Sequence, residues 1–283
     1  MANEIKKALA RHLKWIEVNG NRLYLRDRTY LEQDLKTGQC KSLTHVPSSL
    51  STLGIFHGIR GVVRIIDGES DGWQDISAAI GYYAWSIVFQ TETYLKQGSL
   101  GLRVTGLTNY VPLMACVAAT SSQWELPMLN LLERLSADKQ HMGIIKRPAK
   151  MFEDFVQTLL TRKHRDERLP LLTQESPYGE ILERWDDPLK LSNAIAKSLD
   201  YHCTRIDQKA TEEFAPEFKY TPFDLLPCES MLVHRVRDHQ GLSTPIVDHP
   251  LMTTLSGVPI DIATNIDAAL ESPITDMYAK FLC

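Results

Sequence analysis

Apolar side chains recur at three- and four-residue intervals along most of this chain, and strand-type alternation is almost absent, which restricts the fold to packed helices. Ile5, Leu9, Leu13 and Ile16 form the first stripe, with Lys6, Lys7, Arg11 and Lys14 on the other faces. Asn19-Gly20 then reads as a stop signal, because both residues tolerate the left-handed backbone that ends helices. Leu23, Tyr24, Asp27, Tyr30, Leu31 and Leu35 continue a helical pattern to Gly38, so an antiparallel helix pair is expected. A hairpin turning on Asn19-Gly20 is the alternative, since Leu23-Tyr24-Leu25 has some strand character.

From Ser48 to Ile66 the apolar residues come with Gly54, Gly58 and Gly61, spaced to share one helix face and let another helix approach closely. A polar break, Asp67 to Gly72, precedes a long apolar-rich helix from Trp73 to Lys96, expected to be buried on more than one face. Shorter helices are expected over Asn109 to Thr120, from about Pro127 to Ala137, and from Pro148 with Phe152, Phe155, Val156, Leu159 and Leu160 inward. Asp187-Pro188 has the residues of an N-cap and first helical position, for a helix reaching Ile206. Pro227 opens the next helix, Gly241 ends it, and Pro250 begins another. This pattern predicts an all-α fold, a layered multi-helix bundle or irregular helical solenoid with room for one minor β-hairpin. Residues 1–283 read as a single helical domain, subdivided, if at all, at about 166–176, where a charged run meets turn-rich sequence.

Composition narrows function mainly by exclusion. Hydrophobic content of 43% and charged content of 23% are those of a folded globular chain. A net charge of −4 gives no electrostatic reason to bind nucleic acid and suits a basic partner. The five cysteines are odd in number and widely spaced, which argues against a disulfide framework or a zinc site. No apolar run reaches signal-peptide length at the N-terminus or the roughly 18 residues of a membrane span, so a cytoplasmic protein is expected.

The residues that could carry chemistry have structural explanations. Asp67, Glu69, Asp71 and Asp75 imitate a calcium loop, but Ala78 stands where a bidentate Glu should close the coordination sphere. In Asp248-His249-Pro250, neighbouring residues seldom orient each other for proton transfer, and the reading preferred is a loop tied by backbone hydrogen bonds before a helix. His234 and His239 do not share a helix face, and the imidazole and thiol of Tyr201-His202-Cys203 point apart on a helix. Glu229 with Arg235, and Arg237 with Asp238, are expected to solvate and brace a helix. Phosphate-binding, dinucleotide, zinc-protease and serine-hydrolase motifs are all missing. No catalytic residue, cofactor or metal is therefore assigned.

One pattern extends beyond local structure. Phe223, Leu226, Pro227, Glu229, Leu232, Arg235, Arg237, Gly241, Leu242, Pro245, Asp248, His249, Pro250 and Leu251 follow the order F-x-x-L-P-x-E-x-L, R-x-R, G-L, P-x-x-D-H-P-L. This order resembles the C-terminal part of the immunity protein 49 family, with a weaker echo over Asp187 to Thr204. The resemblance implies a predominantly helical bacterial protein that binds and neutralises a cognate protein toxin by steric occlusion, the toxin being encoded by an adjacent gene. Expected exposure and composition select Asp67, Glu69, Asp71 and Trp73 in one acidic loop, and Glu183, Trp185, Asp186 and Asp187 in another, as partner contacts, with core packing the alternative for both tryptophans. The competing readings are a helical scaffold or peptide-binding protein, and a metal-independent helical enzyme using His249, Asp248 or His202 in a cleft. Oligomeric state is left open.

Overall fold

The computed structural model describes residues 2–37, 45–97, 104–137, 151–165, 176–206 and 216–282, and among these every regular element is a helix. The chain divides into two compact units. A central unit takes Met1–Ala8 and Thr108–Ile262, and an N-terminal unit takes Leu9–Leu107 and Ala263–Cys283. The expected subdivision at about 166–176 is not where the chain divides, because the residues on both sides of it belong to the central unit. The N-terminal unit is discontinuous, completed by the last residues of the chain, and a linear boundary search has no means of seeing that.

The first correction lies at Asn19-Gly20. Helix α1 (Ala2–Trp15) runs through a π turn (Ile16–Gly20) directly into α2 (Asn21–Thr37), with right-handed helical backbone at both Trp15 and Asn21, so there is neither a helix-ending stop nor a hairpin. Gly20 is buried, and a Cβ there would lie 2.8 Å from Ile16 Cγ1 and 3.6 Å from the Phe56 ring. The tight neighbour is the Ile16 side chain one turn earlier, and the glycine sits inside a continuous helical run instead of at a left-handed turn. Gly38, the expected end of α2, lies outside the described residues.

Helices α3 (Val46–Ile66) and α4 (Gly72–Gln97) form a tight antiparallel pair around the short Asp67–Asp71 loop. The spacing of glycines on α3 has the predicted consequence: a Cβ on Gly61 would sit 2.7 Å from the Gly72 carbonyl, and one on Gly54 would sit 2.9 Å from the Tyr83 ring. Ser86 on α4 donates to the Pro47 carbonyl at 2.6 Å, fixing the other end of the pair. Ile76, Ile80, Tyr82, Tyr83, Ile87 and Phe89 are all buried, so α4 is enclosed on several faces. Helix α12 (Ala268–Leu282) closes this unit: Ile266, Leu270, Ile274 and Met277 join a core with Leu31, Leu50, Leu53 and Phe89. Burying each such side chain stabilises the unit by about 1.5–3 kcal/mol. Arg28 on α2 pairs with Asp267 at 2.6 Å just before that helix begins.

The central unit contains α5 (Val104–Thr120), a 3₁₀ turn (Ser122–Trp124), α6 (Glu125–Ala137), α7 (Met151–Arg165), α8 (Gly179–Glu183), α9 (Pro188–Arg205), α10 (Cys228–His239) and α11 (Pro250–Thr254). The predicted inner residues of α7 are buried, while Pro148 itself lies outside the described residues. Asp187 adopts the extended backbone of an N-cap and accepts from the Lys190 amide at 3.2 Å, with Pro188 in the first turn of α9. Gly241 takes the left-handed conformation, φ +69°, and the Leu242 amide donates to the Arg237 carbonyl at 2.8 Å, which closes the C-terminal turn of α10.

Candidate functional site

The motif that carries the resemblance is buried over its first part, Phe223 to Arg237, and mostly exposed from Gly241 to Pro250. Arg235 does not brace a solvated helix with Glu229: its Nε donates to Glu125 at 3.0 Å, and its other nitrogens donate to the carbonyls of Ala118, Ala119 and Ile260 at 2.8–3.1 Å. Two of those carbonyls belong to the last turn of α5, where helical carbonyls lack intrahelical donors and carry the negative end of the dipole. Glu125 also accepts from Lys163 at 2.7 Å and His164 at 2.8 Å. Burial acts to raise its pKa, but Lys163, Arg235 and His164 outweigh burial and hold the carboxyl below its ordinary value. Arg237, read as exposed beside Asp238, is likewise buried, donating to the Trp185 carbonyl and, at 2.6 and 3.0 Å, to the Ser243 carbonyl.

Glu229 is fully buried and accepts from His202 Nδ1 at 3.0 Å and the Tyr178 hydroxyl at 3.3 Å. Its solvated reading is therefore corrected as well. Nearby Glu217 accepts from the Tyr201 hydroxyl at 2.7 Å and the Phe152 amide at 3.1 Å, and burial pushes its pKa up. The His202 ring stacks on Phe218 with 3.5 Å between centroids. Burial pushes the Cys203 thiol up to about 11 and that of Cys116 well above its usual value, which disfavours the thiolate a nucleophile needs.

His249 is bonded as a loop tie. Its Nδ1 accepts from the Leu251 amide at 3.1 Å, which leaves the ring hydrogen on Nε2, facing Asp200 at 3.3 Å. The carboxylate that meets His249 is thus Asp200, while Asp248 is exposed to solvent. An open cleft of about 520 Å³ does exist in this unit, lined by Lys163, His234, Asp238, His239 and Asp261 among others. His202, Asp248 and His249, the residues expected of an enzyme, are not among those lining it.

The two acidic loops lie on different units. In the first, Asp67, Glu69 and Asp71 are exposed and Trp73 is half-buried. Arg64 reaches Glu69 at 2.7 Å and Asp71 at 3.3 Å, so part of that negative charge is neutralised within the loop. Asp75 is buried under Arg60, Arg64 and His57. Burial raises its pKa, but His57, Arg60 and Arg64 together drive it far below the carboxylate range. In the second loop Glu183 and Asp186 are exposed and Asp187 is half-buried, capping α9 and pairing with Lys190. Trp185 is 2% exposed and its indole donates to Gln240 at 2.9 Å, so the packing alternative applies to it and it does not offer a surface contact.

The sequence reading missed two residues beside this second loop. Leu189 is 84% exposed and Ile246 is 94% exposed. Neither has a local signal of exposure: Leu189 reads as one more apolar residue in an amphipathic helix, and Ile246 lies in a Pro-containing connection. No family profile, curated protein or solved structure matches this chain.

Proposed function

We propose that this chain is a non-enzymatic immunity protein that binds a cognate protein toxin and neutralises it by steric occlusion. The observation that supports the reading best is the second acidic loop. Glu183 and Asp186 project from a turn whose tryptophan is locked inward and whose backbone is held by Arg237, so a rigid acidic surface is presented without a reorganisation cost on binding. The buried ionisable groups around Glu125, Glu217 and Glu229 are committed to hydrogen bonds that join helices, which suits a binding scaffold better than a reaction centre. The motif resemblance supplies the class of partner, and the acidic surface complements a basic one.

Expression of the chain beside the product of the adjacent gene, with growth and complex formation by size-exclusion chromatography as readouts, tests the reading. Rescue with a stable complex is the expected result. A harmless neighbour, or a toxic one left unrescued and unbound, overturns the proposal. Because Asp187 caps α9, reversing it also weakens the helix by about 1 kcal/mol. The pair Glu183→Lys and Asp186→Lys leaves that cap intact and should weaken the complex at least tenfold with an unchanged melting temperature; unchanged affinity removes this loop from the interface.

A further inference from the structure

Helices α5 and α10 of the central unit are joined at two places. Arg235 on α10 donates to the Ala118 and Ala119 carbonyls of α5. The Cys116 thiol on α5 is also in hydrogen-bonding contact with the thiol of Cys228, the first residue of α10. Both sulfurs are held by backbone carbonyls of the segment that precedes α10: Cys116 Sγ donates to Glu217 at 3.4 Å, and Cys228 Sγ donates to Phe223 at 3.9 Å. Two cysteines far apart in the chain are thus brought face to face, which their spacing in sequence does not signal. Cys203, the other free cysteine among the described residues, sits on α9, and Cys40 and Cys283 lie outside those residues.

We infer that Cys116 and Cys228 form a buried dithiol that a low-molecular-weight disulfide oxidises to an intramolecular disulfide, a covalent brace between α5 and α10. This inference does not depend on the immunity reading. One cysteine, as the thiolate, attacks the oxidant and releases its first thiolate, leaving a mixed disulfide; the other cysteine then displaces the second. The protein loses two protons and two electrons, and the oxidant leaves as two free thiols. The second displacement requires the two protein sulfurs to meet, which their contact in the fold supplies. Both side chains are buried, and burial pushes both thiols above their usual value, so the attacking thiolate is scarce while the unit is closed. Oxidation therefore follows an opening that admits the oxidant. Reduced, the pair is two ordinary core side chains; oxidised, it closes a loop of roughly a hundred residues and restricts the unfolded chain.

The full chain with Cys40, Cys203 and Cys283 replaced by alanine carries this pair alone. It is incubated with oxidised glutathione at mildly alkaline pH, with and without urea below the unfolding midpoint, beside the wild-type chain, whose peptide map serves as readout if the triple variant folds poorly. The expected result is a mass lower by two hydrogen atoms, a map that joins Cys116 to Cys228, and faster closure in urea. The melting temperature of the oxidised form should exceed that of the reduced form by at least about 5 °C, and dithiothreitol should reverse the gain. A glutathione adduct that persists without closing, or thiols that stay reduced even in urea, overturns the inference. A disulfide that closes but lowers the melting temperature also overturns it, because the bond then strains the fold it is assigned to brace.

Discussion

Arg235 shows how far one side chain's role can depart from its neighbourhood in sequence. Glu229 lies six residues away and invited an ion pair on one helix, yet Arg235 reaches Glu125 and three backbone carbonyls instead. Its planar fork of donors suits a carboxylate and the open carbonyls at a helix end together. Arg235→Ala would leave those carbonyls without their donor and remove one of the cations facing a buried carboxylate. A loss of about 3–5 kcal/mol is expected, read as a lower urea midpoint with little change in the slope. Arg235→Lys should recover only part of it, since an ammonium cannot span the same set of acceptors. What was legible at this scale was the local backbone tie of His249 to Leu251; the burial of Glu229, Arg235 and Arg237 was not, because His202, Tyr178, Glu125 and Trp185, which receive them, lie on other segments.

At the scale of helices, local signals predicted boundaries well where the cause is local. Asp187 caps α9 and Gly241 ends α10 through bonds made within a few residues. Asn19-Gly20 failed as a stop because both residues also tolerate helical backbone, and the chain runs through them as a π turn. Gly61 gives the counterpart: its spacing with Gly54 signalled close helix approach, and α4 occupies that space. Gly61→Ala gains up to about 1 kcal/mol of helix propensity but places a methyl group 2.7 Å from the Gly72 carbonyl, a backbone atom that cannot rotate away. Overpacking of about 1–3 kcal/mol should win, so the melting temperature is expected to fall; a rise would mean that α3 and α4 separate without penalty.

Across the whole molecule, buried carboxylates govern the acid response. Glu125 and Asp75, one in each unit, have folded pKa values below those of the unfolded chain. The folded state therefore releases these protons more readily, and the stabilisation is complete above the unfolded value of about 4 and lost as pH falls through the lower folded values. Glu217 acts in the opposite sense, because burial raises its pKa and its contribution weakens as pH rises through that value. The expected profile is a urea midpoint that drops below about pH 4, with the slope in that acid range reduced in Glu125→Gln. A slope unchanged in this variant would show that Glu125 does not contribute to acid unfolding.

The all-α class, most helix limits, the inward face of α7 and the close approach of α3 and α4 were determined by the sequence alone, because periodicity, capping and side-chain size act over a few residues. The division into units, the burial of Glu229, Arg235 and Arg237, and the exposure of Leu189 and Ile246 were decided only by the tertiary structure. Each depends on segments far apart in the chain: the last helix completes the first core, Glu125 meets an arginine from α10, and the surface beside α9 stays open since no other described segment covers it. A charged side chain looks the same in sequence whether water or another helix surrounds it, and desolvation, set by distant partners, is the physical difference between the two.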